Sequence, residues 1–414
     1  MLSKEFHKTR REMYAKFIEN NSIGVVFAGE EKDEAGDECY PFSVYRNFYY
    51  LTGYTKPNSI YMVYRINDKF NEMLFIERPE EVKERYEGKM LRPEEAKAEY
   101  GIDSVRYINE LENIISWLMF TYDIKNLYVD IARLDMNMSL DAAQQFAKKV
   151  LDKYPFLSLK NTYHKIANMR SVKHREEIEA HRRACSITSD AVKHMLSHMK
   201  PGMTENQVEA YFDFVLKSNN CGHAFATIAA SGPNSCVLHY SENSRKIEDG
   251  EMILFDLGAS SDYYCADVSR TYPINGKFTD RQKQLYEIVL KGLEAAIAKT
   301  KPGQPKHLLQ QVSKDVMAEE LIKIGMIKKP EEINKYYLHG SGHFIGLYTH
   351  DVGNDEATLE EDMVFTLEPG LYFAEENIGI RIEDTILITK DGCEVLTDNI
   401  PKTVGEIEEF MQGK

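Results

Sequence analysis

Residues 252–274 read MILFDLGASSDYYCADVSRTYPI. Met252 to Phe255 is an unbroken apolar run of strand length, and it ends on a carboxylate, Asp256. A charge at the end of a buried strand is costly unless it is paired or holds a metal ion. Eleven residues on, Asp267 stands in a second apolar and aromatic run, 263–274, that would pair back across 259–263. Cross-strand neighbours can share one cation. An isolated Asp-x-Gly is more simply a turn, so the pair needs support from elsewhere in the chain.

Support lies further along. His343 closes HGSGH (339–343), a His-x-x-x-His whose glycines and serine predict a turn or irregular strand rather than a helix. It lacks the intervening glutamate of a helical zinc site. Glu368 ends the apolar run VFTL and is followed by Pro369-Gly370, which fixes a turn. In GIRIEDTILIT (379–389), alternation sets Ile380 and Ile382 on one face and Arg381 and Glu383 on the other. Alone, that pair reads as an ion pair on an exposed strand face. Together, Asp256, Asp267, His343, Glu368 and Glu383 supply four carboxylates and one imidazole, a donor set suited to two divalent cations and metal-assisted hydrolysis. A second His-x-x-x-His, His194 and His198, falls on a helical pattern and reads as a helix face.

Outward from this core, 174–199 predicts a long helix ended by Lys200-Pro201-Gly202, and Thr204 caps a second helix with Glu205 in its first turn. Helices are expected at 279–299 and 304–324, strands in MVFTLEPG, GIRIEDTILIT and CEVLT, a tight turn at Asp391-Gly392, and a closing helix at 404–412. The order helix, helix, strands thus occurs twice, as two halves of a pseudo-twofold α+β domain would require. Upstream, a helix at 3–20, strands at 22–28, IYMVYRI, MLFIE and NLYVD, and helices near 108–121 and 138–153 make an α/β module. The junction is placed in 155–173, giving domains 1–165 and 166–414.

The chain has 414 residues, 43% of them hydrophobic, which suffices for sizeable cores. A formal charge of −15 argues against nucleic-acid binding as the main task. The six cysteines form no Cys-x-x-Cys pair and suit free thiols. No signal peptide or membrane span is evident, and a cytoplasmic location is expected.

The motifs DLGASSDYYCADVSRTYPINGKFT, HGSGHFIGLYTHDVG, FTLEPGLYF and GIRIEDTILIT, with SGPNSCVLHYSEN upstream and YPFSVYRNFYYLTGYTKPNS in the first half, resemble the pita-bread metallopeptidases of the Xaa-Pro aminopeptidase (aminopeptidase P) type. The resemblance spans nearly the whole chain. It implies an α+β protein with an N-terminal creatinase-like α/β domain and a C-terminal pita-bread catalytic domain. It implies a dinuclear centre, manganese first, with cobalt, iron or zinc also suited. In it Asp256 chelates one ion, His343 and Glu368 the other, and Asp267 and Glu383 bridge, with a bridging hydroxide as nucleophile. By the same resemblance His239 and His350 contact the reacting carbonyl, Glu368 moves the proton, and His339, Tyr372 and Arg381 line or support the proline subsite. The implied substrate is a peptide with proline second, and the implied assembly a homodimer or homotetramer. One departure is Tyr348-Thr349, where many relatives carry Asp-Val.

Prolidases, which take Xaa-Pro dipeptides, share the five ligands; the N-terminal match favours the aminopeptidase. Methionine aminopeptidases generally lack that domain. Non-catalytic binding proteins and creatinase-type amidinohydrolases on this fold lack the metal ligands, and all five stand here.

Overall fold

The computed structural model describes residues 2–36, 38–132, 135–354 and 356–413. The chain divides into two compact units, Met1–Met169 and Arg170–Lys414.

The first unit is built on a mixed six-stranded sheet. Its spatial order is Val105–Tyr107, Lys69–Ile76, Ile60–Ile66, Ser22–Phe27, Asn126–Val129, Ser158–Asn161. Ile60–Ile66 and Lys69–Ile76 form a hairpin whose two turn residues, Asn67 and Asp68, both have positive φ, 52° and 62°. That is the turn whose twist matches paired strands. Ile23, Val25, Met62, Phe75 and Val129 meet Leu118 and Ala147 from the helices Leu111–Thr121 and Ala142–Lys153 in one core. NFYYLTGY belongs to a short buried helix, Arg46–Thr52, closed by Gly53 in the left-handed conformation. Residues 155–173, read as the junction, carry regular structure: the strand Ser158–Asn161 and the helix Tyr163–Ser171. The strand is a largely exposed polar edge, so it lacks the alternation that would reveal it.

In the second unit, helices Arg175–His198 and Glu205–Ser218 precede the strands of the first half, and helices Asp280–Lys299 and Lys306–Lys323 those of the second. Met195, Phe212, Phe255, Tyr286, Met317, Phe365 and Ile386 share one large core. His194 and His198 do lie on a helix face, where the His198 ring stacks on Tyr211.

The strand expected at 263–274 is broken. Met252–Leu257 pairs antiparallel with Val268–Pro273, and Ala259–Ser261 pairs with Tyr264–Cys265 in a different sheet. The ribbon changes sheets at Gly258, where a Cβ would stand 1.9 Å from the Ala266 carbonyl oxygen. Only glycine allows that approach, and the break leaves Asp267 between two strands. Likewise 378–388 splits into Ile378–Arg381 and Asp384–Ile388, leaving Glu383 in the gap. Among the described residues no helix is long and apolar enough to cross a membrane.

Candidate metal centre

All five candidate ligands line one cavity of about 550 Å³. Asp256 stands near the end of the central strand of its sheet, with Ile228 and Ser269 opposite it on the two neighbours. Asp267 is fixed at its backbone by Thr385, whose hydroxyl donates to the Asp267 carbonyl at 2.8 Å. Glu383 is held by its own N–H, which donates to Ser269 O at 2.9 Å, and by Ser269 Oγ, which donates to Glu383 Oε2 at 2.8 Å. Behind it a buried ion cluster braces the backbone. Arg270 donates to Glu383 O and, at 2.7 Å, to Asp384 Oδ1, and Lys402 reaches Asp384 Oδ2 at 2.9 Å.

The HGSGH segment lies against strand Val364–Leu367. Thr366 N donates to His343 O at 2.8 Å and Glu368 N to Ser341 O at 3.0 Å. Gly342 has φ +150°, and a Cβ there would stand 1.9 Å from Thr366 O. This close approach brings His343 Nε2 within 3.3 Å of Asp267 Oδ2 and 3.8 Å of Glu368 Oε1. Ligand atoms of Asp267, His343 and Glu383 all lie within 4.8 Å of one another.

The donor set fits divalent cations on two counts. First, Asp256 Oδ1, Asp267 Oδ1 and Glu383 Oε1 are buried and receive no hydrogen bond, although buried carboxylate oxygens ordinarily find donors. Second, His343 Nδ1 faces the Phe344 carbonyl oxygen at 3.2 Å. An oxygen there requires the ring proton on Nδ1, which leaves the Nε2 lone pair toward the carboxylates. Burial, then the positive potential of His350, pushes the His343 pKa down to about 4, so the ring is neutral near pH 7. The acids move the other way. Burial and then the charges of Glu383, Asp256 and Glu368 hold Asp267 well above the carboxylate range. Glu383 is raised by burial and by Glu368 and Asp256. Glu368 is pushed up to about 7, chiefly by burial. A cluster this short of positive charge is relieved by cations.

Arg381 and Glu383 are buried, at 4% and 1% exposure, not the exposed strand face their alternation suggested. Nor do they pair. Arg381 Nη2 donates to Asp256 Oδ2 at 2.6 Å, Nε to Ser269 Oγ at 2.7 Å and Nη1 to Tyr372 Oη at 3.0 Å. Tyr372 Oη, already accepting from arginine, donates to His339 Nε2 at 2.7 Å, and His339 Nδ1 donates to Gly340 O at 2.6 Å. The ring is therefore the neutral Nδ1–H tautomer, in keeping with a pKa lowered to about 4 by burial and by Arg381. Tyr372 does not itself line the cavity. Its hydroxyl is spent between His339 and Arg381, so it supports the wall from behind.

His239, His339 and His350 all face the cavity, and the His343 and His350 rings are 4.3 Å apart. Of the departing pair, Thr349 lines the wall and its hydroxyl donates to Ala224 O at 3.2 Å, while Tyr348 turns to the Arg170 guanidinium. Sequence reasoning missed the apolar part of the wall, Phe225, Ile228 and Leu238. Phe225 and Leu238 lie outside any strand, where no periodicity tells which side chains turn inward.

Comparison with known proteins agrees with this architecture. Residues 179–390 match the model of metallopeptidase family M24, and 7–128 that of the aminopeptidase P N-terminal domain. The chain is 30% identical to the Xaa-Pro aminopeptidase of Escherichia coli K12, covering 99% of this chain and 98% of that protein. It is 29% identical to its Haemophilus influenzae counterpart over 98% and 97% of the two chains. The structure of E. coli aminopeptidase P with the inhibitor Pro-Leu superposes with a TM-score of 0.93 at 29% identity, covering 100% and 99% of the chains. The chain thus belongs to metallopeptidase family M24. Its N-terminal domain sets it in the aminopeptidase P branch of that family, and it is a metallo-exopeptidase.

Proposed function

We propose that this enzyme releases the first residue from peptides whose second residue is proline. The observation that carries this reading is the convergence of the five ligand residues, three with orphaned buried oxygens, on one cavity that also holds His339 and an apolar wall. The related E. coli enzyme whose structure holds Pro-Leu supports it.

In this reading Asp256, Asp267, His343, Glu368 and Glu383 hold two divalent ions, manganese by preference. When bound, such ions supply Lewis-acid polarisation of the scissile carbonyl and a water activated at neutral pH. The protein's own groups do the rest. His239 and His350 present N–H donors to the oxygen on which charge develops. Glu368 passes a proton to the departing imide nitrogen. Proline has no N–H to offer, so a site for this bond must grip the ring by shape instead. The neutral His339 ring and the wall of Phe225, Ile228 and Leu238 provide such surface. Arg381 and Tyr372 hold Asp256 and His339 in register. The six cysteines, all free, suit a reducing cytoplasm, and assembly as a homodimer or homotetramer completes the proposal.

The test is hydrolysis of an Xaa-Pro-Xaa tripeptide and an Xaa-Pro dipeptide after EDTA treatment, with and without added Mn²⁺. Metal-dependent release of the first residue from the tripeptide is expected. Cleavage of the dipeptide alone would make the enzyme a prolidase, and no metal-dependent release would sink both readings.

A further inference from the structure

Glu205 opens the helix Glu205–Ser218, and its side chain is fully buried away from the cavity. Its carboxylate accepts five hydrogen bonds. Oε1 receives Ser231 N and Ser231 Oγ, both at 2.7 Å, and Asn234 Nδ2 at 3.1 Å. Oε2 receives Tyr240 Oη at 2.8 Å and Arg245 N at 2.9 Å. The helix start answers in kind: Glu205 N donates to Arg245 O at 3.0 Å and Asn206 N to Asn243 O at 2.7 Å.

All of these donors and acceptors lie between Ser231 and Arg245, the segment that carries His239. Residues 237–245 belong to no helix or strand. His239 is exposed, and its ring makes no hydrogen bond among the described residues. With an exposed ring and no hydrogen bond to hold it, the imidazole is placed chiefly by its backbone, and that backbone is tied to Glu205 on both sides of position 239.

We propose that Glu205 is the positioning residue for His239, holding the 231–245 segment so that the imidazole stands over the reacting carbonyl. This rests on the role given to His239 above. In Glu205→Gln the amide must turn its NH₂ toward one group of donors, so either Ser231 N–H or Arg245 N–H loses its acceptor, while side-chain volume is kept. Small misplacements of a catalytic donor are costly to rate.

The experiment is a double-mutant cycle of Glu205→Gln with His239→Ala in the full chain, read as kcat and KM on an Xaa-Pro-Xaa peptide, with metal content and thermal midpoint measured for each variant. Glu205→Gln is expected to lower kcat roughly tenfold to a hundredfold with metal content unchanged. In the His239→Ala background the same change should alter kcat by less than about twofold. Losses that multiply independently, or a Glu205→Gln enzyme with full kcat, would overturn the positioning role alone. A fully active His239→Ala enzyme would overturn the reading of His239 and this proposal with it. If Glu205→Gln does not fold, Ser231→Ala, which removes one donor from Oε1, enters the same cycle with the same criteria.

Discussion

Arg381 and Asp256 form a largely buried ion pair at 2.6 Å that occupies one oxygen of Asp256, while the other oxygen is buried with no hydrogen-bond donor. One carboxylate is thus divided between an arginine that orients it and an oxygen left free to bind a cation. The same guanidinium reaches Tyr372, and through it His339. Arg381→Met breaks both links and leaves a buried charge unpaired. It should destabilise the metal-free protein by about 3–5 kcal/mol and lower kcat/KM. Arg381→Lys, with no planar fork, cannot restore all three contacts and should recover little of either. Denaturant unfolding with EDTA and steady-state kinetics check this; wild-type values for Arg381→Lys would refute it.

Metal uptake should release protons at pH 7. In the metal-free state Glu368, with a pKa of about 7, is about half protonated, and burial with neighbouring carboxylates also holds Asp267 and Glu383 well above the usual carboxylate range. Cations bind the ionised forms, so those protons must leave, and apparent affinity must rise with pH through this range. His343, already neutral at pH 7, contributes none. Titration calorimetry of Mn²⁺ in buffers of different ionisation enthalpy should give roughly one to three protons per protein. A buffer-independent heat would show that the acids are already ionised.

The loop carrying Thr349 and His350 is anchored by Asp351, which is buried against Arg170, with Lys173 at 4.0 Å, and accepts from Leu347 N at 3.2 Å. Arg170→Met removes the nearer cation and should cost about 3–5 kcal/mol of stability. Because it touches none of the five candidate ligands, metal content should stay normal while kcat falls. Metal analysis beside kinetics decides; loss of metal would place the effect in the centre itself.

Phe225→Ala deletes the largest apolar side chain on the missed part of the wall. It should raise KM for Xaa-Pro-Xaa peptides by roughly tenfold with a smaller change in kcat, as expected where hydrophobic substrate contact is lost. Michaelis kinetics across a series of first residues tests this, and an unchanged KM would remove Phe225 from the substrate surface.

What the sequence determined by itself was local. The apolar run that ends at Asp256, the glycines around His343, the Pro-Gly after Glu368 and the alternation through Glu383 are signals written within a few residues, because strand burial and tight turns act at that range. They sufficed to single out the five candidate ligands. Partnership needed the tertiary structure. Arg381 meets Asp256 from 125 positions away, and Tyr240 meets Glu205 across 35. Two positions apart in sequence, Arg381 and Glu383 read as an exposed pair, yet the fold buries both, pairs the arginine with Asp256 and sets the Ser269 hydroxyl between the two. Nothing local reports such a choice, because a buried charge takes whichever opposite charge the packing of distant strands brings within reach, and that packing is a property of the whole chain.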